Sequence, residues 1–180
     1  MAKLVIPISN GFEEIEAISI IDICRRAQIE VTIAALENLL TLGAHNIKIE
    51  ADCMIEEINE NDFDMIVLPG GLPNAFTLAE NKKVIDLLKQ FKEKNKNIGA
   101  ICAAPFALHT ADVLNKNYTC YPSFEEKIRL DGYQNSDQYV IDEKVITSRG
   151  PATAMSFALQ IIEILKGKEL SNKIKSEILA

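Results

Sequence analysis

The chain has 180 residues, of which 48% are hydrophobic and 25% are charged, so it is long and apolar enough for one domain and not comfortably for two. The formal charge of −7, with no block of Lys or Arg, argues against a nucleic-acid-binding protein. No window approaches the ~20 continuous apolar residues that cross a bilayer. Residues 1–180 are therefore predicted to form a single domain without membrane contact.

Cysteine and histidine usage bears on metal binding and on the cell compartment. The four cysteines are widely spaced, with no C-x-x-C pair, and there are only two histidines. A zinc site is hard to assemble from such a set, so we expect no metal. The first residues enter a strand directly, with no signal-peptide core or cleavage site. Reduced thiols and the lack of a signal favour a cytoplasmic protein.

Short apolar runs alternate with amphipathic stretches along the chain. The apolar runs predict strands at residues 4–8, 30–35, 65–68, 97–101 and 118–122. Apolar spacing and turn residues predict helices at residues 12–27, 81–94, 105–111, 124–130, 152–166 and 169–179. Antiparallel pairs are expected between 39–42 and 46–49, and in a hairpin of 138–141 with 144–147. This order predicts an α/β fold, with a mostly parallel sheet, helices on both faces and a small hairpin.

Cys102 lies at the corner between a predicted strand and the following helix. Pro105 suits the first turn of that helix, and Ala103 and Ala104 leave the sulfur uncovered, as in a nucleophile elbow. The partial positive charge of the helix N-terminus is expected to lower the pKa of the thiol. His109 lies ~10 Å further along the helix axis, so it cannot simply activate Cys102. A buried cysteine that only ends a core strand is the alternative.

Glu16 falls inside the apolar arc of the first predicted helix, between Ile23 and Ala27 in projection. A carboxylate there is costly unless it is paired or protonated, so we expect a raised pKa that suits proton transfer. The alternative is a carboxylate at the rim that reaches solvent. Glu14 projects to the opposite, charged side, whereas Glu13 can interact with the open N–H groups of the first helical turn.

Gly70 and Gly71 follow an apolar strand, and their N–H groups are candidate anion or oxyanion donors. The working crevice of a parallel sheet lies outside the carboxyl ends of its strands, so the two glycines, Glu16 and Cys102 are expected at one sheet edge. A thiolate, a proton-carrying carboxyl group and N–H donors at Gly71 and Ala103 suit attack on a carbonyl carbon. A hydrolase with a Cys-His pair is disfavoured.

Four motifs in this order resemble the ThiJ/PfpI superfamily, in its branch of DJ-one and YajL-like proteins. They are Gly-Phe-Glu-Glu-Ile-Glu-Ala at 11–17, Leu-Pro-Gly-Gly at 68–71, Ala-Ile-Cys-Ala-Ala-Pro at 100–105 and Thr-Ser-Arg-Gly-Pro at 147–151. The resemblance implies a flavodoxin-like (Rossmann-like) three-layer sandwich, related to class I glutamine amidotransferase domains, and a homodimer with its active site near the interface. It also implies that Cys102 is the reactive cysteine, that Glu16 is its protonated partner, and that Gly71 and Ala103 are the backbone donors.

The same resemblance implies a cofactor-independent enzyme for small reactive carbonyls. Such an enzyme is a glyoxalase that turns methylglyoxal into lactate, or a deglycase for early glycation adducts of proteins or nucleotides. The alternative is an oxidative-stress sensor or chaperone in which Cys102 becomes sulfinic acid. Tyr121 stands where animal members have a histidine and is a candidate for a hydrogen bond to the substrate. His45 falls near an interface arginine of animal members and is a candidate for a role in the partner's pocket.

Overall fold

A seven-stranded, mostly parallel sheet forms the centre of the computed structural model, which describes residues 1–135 and 138–180. In spatial order its strands are Cys53–Met54 (β5), Glu30–Ala35 (β2), Lys3–Ile8 (β1), Met65–Leu68 (β6), Asn97–Ile101 (β7), Val145–Ser148 (β9) and Tyr139–Asp142 (β8). β8 runs antiparallel to β9, as the predicted hairpin requires, and the other neighbours are parallel. A separate antiparallel pair consists of Leu40–Leu42 (β3) and Lys48–Glu50 (β4).

Helices cover both faces of this sheet, which confirms the predicted α/β fold. In chain order they are Glu14–Arg26 (α1), Asn74–Glu80 (α2), Lys82–Glu93 (α3), Pro105–Thr110 (α4), Glu125–Ile128 (α5), Ala154–Lys166 (α6) and Lys168–Glu177 (α7). α6 packs between α1 and α7 on one face, whereas α2, α3 and α4 pack together on the other. Within the described residues, no helix has the length and apolar character that crossing a bilayer requires.

Side chains of the central strands alternate between two apolar cores, one on each face of the sheet. In β1, Leu4, Ile6 and Ile8 join the core beneath α1 and α6, and Val5 joins the core beneath α3. All four side chains are fully buried, and burying one such side chain stabilises the fold by about 1.5–3 kcal/mol. Because both faces are covered, these strands are continuous apolar runs in the sequence.

The topology brings three loops together at one edge of the sheet. β1, β6 and β7 are adjacent and parallel, so their carboxyl ends lie side by side. The chain segments that leave these ends contain Glu16, the Gly70-Gly71 pair and Cys102, respectively. The predicted candidates therefore follow three neighbouring strands, where open α/β sheets bind their ligands.

The strand predicted at residues 118–122 is wrong. Tyr118 forms only an isolated bridge, and the following residues belong to no strand. Instead, the N–H of Thr119 donates to a side-chain hydroxyl on β9, and the N–H of Tyr121 donates to the carbonyl of Cys102. These two hydrogen bonds tie the segment to the carboxyl ends of β7 and β9 without strand pairing, and its buried side chains account for the apolar pattern.

Helix α2 is not among the elements predicted from the sequence. Its first residue, Asn74, is fully buried and accepts hydrogen bonds from the N–H and hydroxyl of Ser9 at 2.8 and 3.0 Å. The Asn74 side-chain amide donates to the carbonyls of Pro69 and Gly70, both at 2.9 Å. This polar side chain joins the loops after β1 and β6, and such long-range contacts leave no periodic pattern in the sequence.

Candidate active site

Cys102 lies immediately beyond the end of β7, at a sharp corner before α4. Its φ of 65° is in the left-handed region, which is strained for a residue with a side chain. The corner is held on both sides, because the Cys102 N–H donates to the Ser148 carbonyl at 3.0 Å and the Cys102 carbonyl accepts from the Tyr121 N–H at 2.8 Å. A strained, 8% exposed cysteine at this corner has the geometry of the predicted nucleophile elbow.

Glu16 is fully buried on α1, so the alternative of a solvent-reaching carboxylate at the rim is wrong. Its Oε2 accepts the Gly70 N–H at 2.8 Å. Oε1 is also buried and has no hydrogen-bond partner among the described residues. Glu13 fixes the start of the helix, as predicted, because its side chain accepts the Glu16 N–H at 2.7 Å. A carboxyl group with one unsatisfied buried oxygen is poised to carry a proton.

Glu16 and Cys102 influence each other's protonation. Burial raises the pKa of Glu16 to about 7, against the lowering effects of the Gly70 N–H and the Cys102 thiol. This direction confirms the raised pKa expected from the apolar arc. Because the two groups interact directly, they titrate as a pair rather than as independent sites. After the pair has lost its first proton, the remaining proton resides either on the sulfur or on the carboxyl group.

The expected lowering of the Cys102 pKa by the helix N-terminus is not what the structure gives. Burial and the negative charge of ionised Glu16 raise the pKa of the thiol above its ordinary value. The N–H groups of Gly71 and Ala103 act in the opposite direction and are outweighed. The N-terminus of the six-residue helix α4 lowers the pKa of the thiol less than the buried carboxylate raises it. A thiolate therefore requires the shared proton to be on Glu16.

The three predicted backbone donors divide into two roles. The Gly71 and Ala103 N–H groups both interact with the Cys102 sulfur. The Gly70 N–H instead donates to Glu16, so its predicted role as an oxyanion donor is revised to that of holding the carboxyl group. A Cβ at position 70 would lie 2.6 Å from the Cys102 Cβ and 2.8 Å from Glu16 Oε2. Glycine is required there because the Cys102 Cβ and the Glu16 carboxyl group approach it so closely.

An open pocket of about 320 Å³ lies over the sulfur. Cys102, Gly71 and Ala103 line it, together with the predicted contact residues Tyr121 and His45. The pocket also includes four residues that the sequence did not single out for it: Glu13, Ala44, Leu72 and Phe124. Nothing in the local pattern marks the last three as pocket residues, because they arrive from separate loops.

Glu14 departs from the prediction that it faces solvent, since only 4% of its surface is exposed. The loop between β3 and β4 covers it: Glu14 Oε1 accepts the His45 N–H at 2.6 Å, and Oε2 contacts His45 Nδ1 at 2.8 Å. This hydrogen bond raises the pKa of His45. For Glu14, burial acts to raise the pKa, but the bonds from His45 prevail and lower it. His45 keeps an exposed side chain and is held at the pocket rim.

The remaining thiols and the second histidine lie outside this pocket. Burial raises the pKa of Cys24 and Cys120 to about 12. Cys53 is half-buried on β5, and burial together with nearby acidic residues raises the pKa of its thiol. His109 is exposed on α4, in agreement with the prediction that it does not activate Cys102.

Comparison with known proteins matches residues 2–164 to the model of the DJ-1/PfpI family. Protein DJ-1 homolog B of Arabidopsis thaliana is 39% identical over 170 residues, which are 93% of this chain but only 39% of that protein. The chain thus spans about two fifths of the length of that relative. The glutathione-independent glyoxalase DJR-1.2 of Caenorhabditis elegans is 36% identical over 163 residues, covering 90% of this chain and 87% of that protein.

The fold has close counterparts among solved structures. Oxidized DJ-1 of Toxoplasma gondii superposes with a TM-score of 0.94 at 34% sequence identity. The superposition covers 99% of this chain and 98% of that chain. The sheet order, the flanking helices and the corner at the end of β7 therefore belong to an architecture that is already known.

Proposed function

Because the chain belongs to the DJ-1/PfpI family, we propose that it is a glyoxalase that acts on methylglyoxal or glyoxal without glutathione or another cofactor. The observation that carries the proposal is the fully buried Glu16, whose pKa is raised to about 7 beside the Cys102 thiol. The name of the Caenorhabditis elegans relative, a glutathione-independent glyoxalase, supports the same reaction class. Early glycation adducts of proteins or nucleotides are the wider substrate class.

The reaction begins when the proton of the pair resides on Glu16 and the sulfur is a thiolate. The thiolate attacks the aldehyde carbon of methylglyoxal, and the carbonyl oxygen takes the proton from Glu16, which gives a hemithioacetal. Glu16, now ionised, removes the hydrogen from that carbon as a proton while the ketone oxygen gains a proton, which gives an enediol. The proton on Glu16 is then returned to the neighbouring carbon while the hydroxyl on the first carbon loses its proton. The result is a thioester of lactate. Water hydrolyses the thioester, which releases lactate and restores the thiol, so the net reaction converts methylglyoxal and one water molecule into lactic acid.

Residues around the pair support this sequence of steps. The Gly71 and Ala103 N–H groups, which interact with the sulfur, are suited to hold the oxygen that becomes negative during attack and hydrolysis. Tyr121 is 47% exposed at the pocket wall and can offer its hydroxyl to the substrate. The pocket is open and has room for a substrate larger than methylglyoxal. That room is consistent with glycation adducts as further substrates.

The direct test is lactate formation by purified protein from methylglyoxal in buffer free of glutathione. The proposal expects lactate to accumulate in proportion to protein, with one lactate for each methylglyoxal consumed. For deglycation, free methylglyoxal must be measured in parallel, because removing it reverses early adducts by mass action. Consumption of methylglyoxal without lactate would contradict the proposed reaction and indicate simple thiol adduct formation.

A redox sensor is the second function that this site favours. Cys102 is 8% exposed at an open pocket, whereas Cys24 and Cys120 are fully buried. The similar Toxoplasma gondii structure is titled as an oxidized form. In this role a protonated Glu16 donates a hydrogen bond to an oxygen of the Cys102 sulfinate. Both functions use the same thiolate, so one does not exclude the other.

Mild peroxide treatment separates the sensor from unselective oxidation. We expect mass spectrometry to find a gain of two oxygens on Cys102 before Cys24, Cys53 or Cys120 is modified. Cys53 is the informative internal control, because it is the least buried of the other three thiols. The Glu16→Gln variant is expected to slow oxidation to the sulfinate. Equal oxidation of Cys53 and Cys102 would contradict a sensor role for this site.

A homodimer is the assembly that the apolar surface supports. Ile15 and Ile18 are 58% and 42% exposed on α1, and Leu40 on the neighbouring hairpin is 58% exposed. Met155 on α6 is 53% exposed and lines one groove with Ile18. Exposed apolar side chains that lie close together on a folded surface usually mark an interface. This face is proposed as the one that two chains share.

Light scattering during gel filtration tests the dimer. Wild type is expected to have twice the 20.0 kDa mass of the chain, and Ile18→Glu is expected to give the monomer mass. Ile141→Glu on β8 is the matched control, because Ile141 is similarly exposed at 44% but lies on the edge strand of the sheet instead of on α1, α6 or the β3–β4 hairpin. A monomeric wild type, or dissociation by Ile141→Glu to the same extent, would overturn the proposed interface.

A further inference from the structure

Two adjacent carboxylates and a histidine converge at the rim of the Cys102 pocket. The ligand atoms of Glu13, Glu14 and His45 all lie within 4.8 Å of one another. His45 Nδ1 is 2.8 Å from Glu14 Oε2 and 3.9 Å from Glu13 Oε1. The carboxylates are nearly buried, whereas the imidazole is exposed and can adjust its position. Three potential ligands therefore face one point that solvent can reach.

The cluster holds more negative charge than its neighbours neutralise. The Glu13 side chain is only 10% exposed, and its Oε2 is occupied by the Glu16 N–H. Among the described residues, Glu13 Oε1 accepts no hydrogen bond, and it is directed toward His45. His45 is also the only basic side chain of the described residues that pairs with Glu13 or Glu14. Two carboxylates thus share at most one positive charge.

We propose that Glu13, Glu14 and His45 form a binding site for a divalent transition-metal ion, of which Zn²⁺ is the representative. The juxtaposition of the nearly buried Glu13 side chain, whose Oε1 accepts no hydrogen bond among the described residues, with a second carboxylate and an imidazole nitrogen carries the proposal. The expectation of no metal rested on cysteine and histidine spacing alone. Two neighbouring glutamates that meet a histidine from a distant loop leave no such spacing in the sequence.

The separations suit zinc better than a larger cation. Zinc binds imidazole nitrogen and carboxylate oxygen at about 2.0–2.2 Å, so two ligands in a tetrahedral site lie about 3.3 Å apart. The 2.8 and 3.9 Å separations in the cluster bracket this value. Glu14 Oε1 stays bonded to the His45 and Ile47 N–H groups, which leaves Oε2 for the metal. A water molecule completes the site, because three protein ligands leave one position open.

Zinc titration with a competing chromophoric chelator tests the site in the full chain. Cys102→Ala serves as the background, because it removes the nearby thiol that also binds zinc. We expect one Zn²⁺ per chain in this background. Adding His45→Gln should weaken binding by at least about tenfold, since one of three protein ligands is lost. His109→Gln is the matched control, because it makes the same change at the other exposed histidine, and it should leave the affinity unchanged.

A second variant guards against indirect effects. Glu13→Gln is expected to weaken zinc binding as well, because an amide oxygen is a poorer ligand than a carboxylate. Circular dichroism and thermal unfolding would verify that each variant is folded. The proposal fails if the Cys102→Ala background binds no zinc, or if His45→Gln binds zinc as tightly as His109→Gln. These outcomes are independent of lactate formation, so they do not depend on the proposed enzyme function.

Discussion

Replacing Cys102 by alanine is expected to reduce lactate formation from methylglyoxal to the rate without protein. The alanine removes the only sulfur at the pocket floor, and no other side chain lining the pocket is a comparable nucleophile for the aldehyde carbon. The strained corner at φ 65° is retained, since alanine still has a Cβ there. The measurement is the initial rate of lactate production at equal protein concentration.

The control for this loss is Cys53→Ala. Cys53 lies on the edge strand β5 and is the least buried of the three thiols outside the pocket. Its removal should leave the rate unchanged, because general thiol reactivity is not the source of lactate. Lactate formation by Cys102→Ala at the wild-type rate would rule out covalent catalysis at this position. Equal losses in Cys53→Ala and Cys102→Ala would point to a structural effect instead.

Replacing Glu16 by glutamine is expected to lower the rate by about 10²–10⁴-fold, the usual contribution of a positioned proton carrier. Glutamine has nearly the same shape and can still accept the Gly70 N–H, but it cannot take up or release a proton. Glu80→Gln, on the last turn of α2, is a suitable control because this glutamate is exposed. A Glu16→Gln rate within about twofold of wild type would exclude the proton-transfer role.

The same Glu16 variant tests the raised pKa of the carboxyl group directly, through the pH dependence of stability. The pKa of Glu16 is raised from 4.5 to about 7, so between these values the folded chain keeps a proton that the unfolded chain has lost. The resulting stabilisation is complete below about pH 4.5 and is lost as the pH rises through about 7. Each pH unit changes it by about 1.4 kcal/mol, which gives about 3 kcal/mol in total.

Urea unfolding at several pH values between 4.5 and 8 measures this effect. Wild type should lose about 3 kcal/mol more of its unfolding free energy over this range than Glu16→Gln, which has no titrating group at position 16. The other shifted groups, such as His45 and Glu14, are common to both proteins and cancel in the difference. Parallel stability curves for the two proteins would show that Glu16 titrates normally in the folded state.

The sequence by itself determined the architecture and the central pair of residues. Continuous apolar runs such as β1 and β6 identify buried parallel strands, because both of their faces must be covered. Helical periodicity placed Glu16 among apolar residues, and Pro105 marked the start of the helix after Cys102. These features depend on the spacing of apolar residues within a short segment, which is present in the sequence whatever the distant parts of the chain contain.

Only the tertiary structure decided the protonation of the pair and the contacts of the rim. Burial beside Glu16 reverses the expected direction of the Cys102 pKa, since the effect of a helix end is small next to a buried charge. The Gly70 N–H donates its hydrogen bond to Glu16. His45, which lies 31 residues after Glu14 in the chain, contacts the Glu14 carboxylate. Such contacts join residues far apart in the chain. The spacing of apolar residues in the sequence indicates which side chains are buried. The hydrogen-bond partners of a titratable group and the polarity of its surroundings, which set its pKa, depend on the residues that the complete fold places beside it.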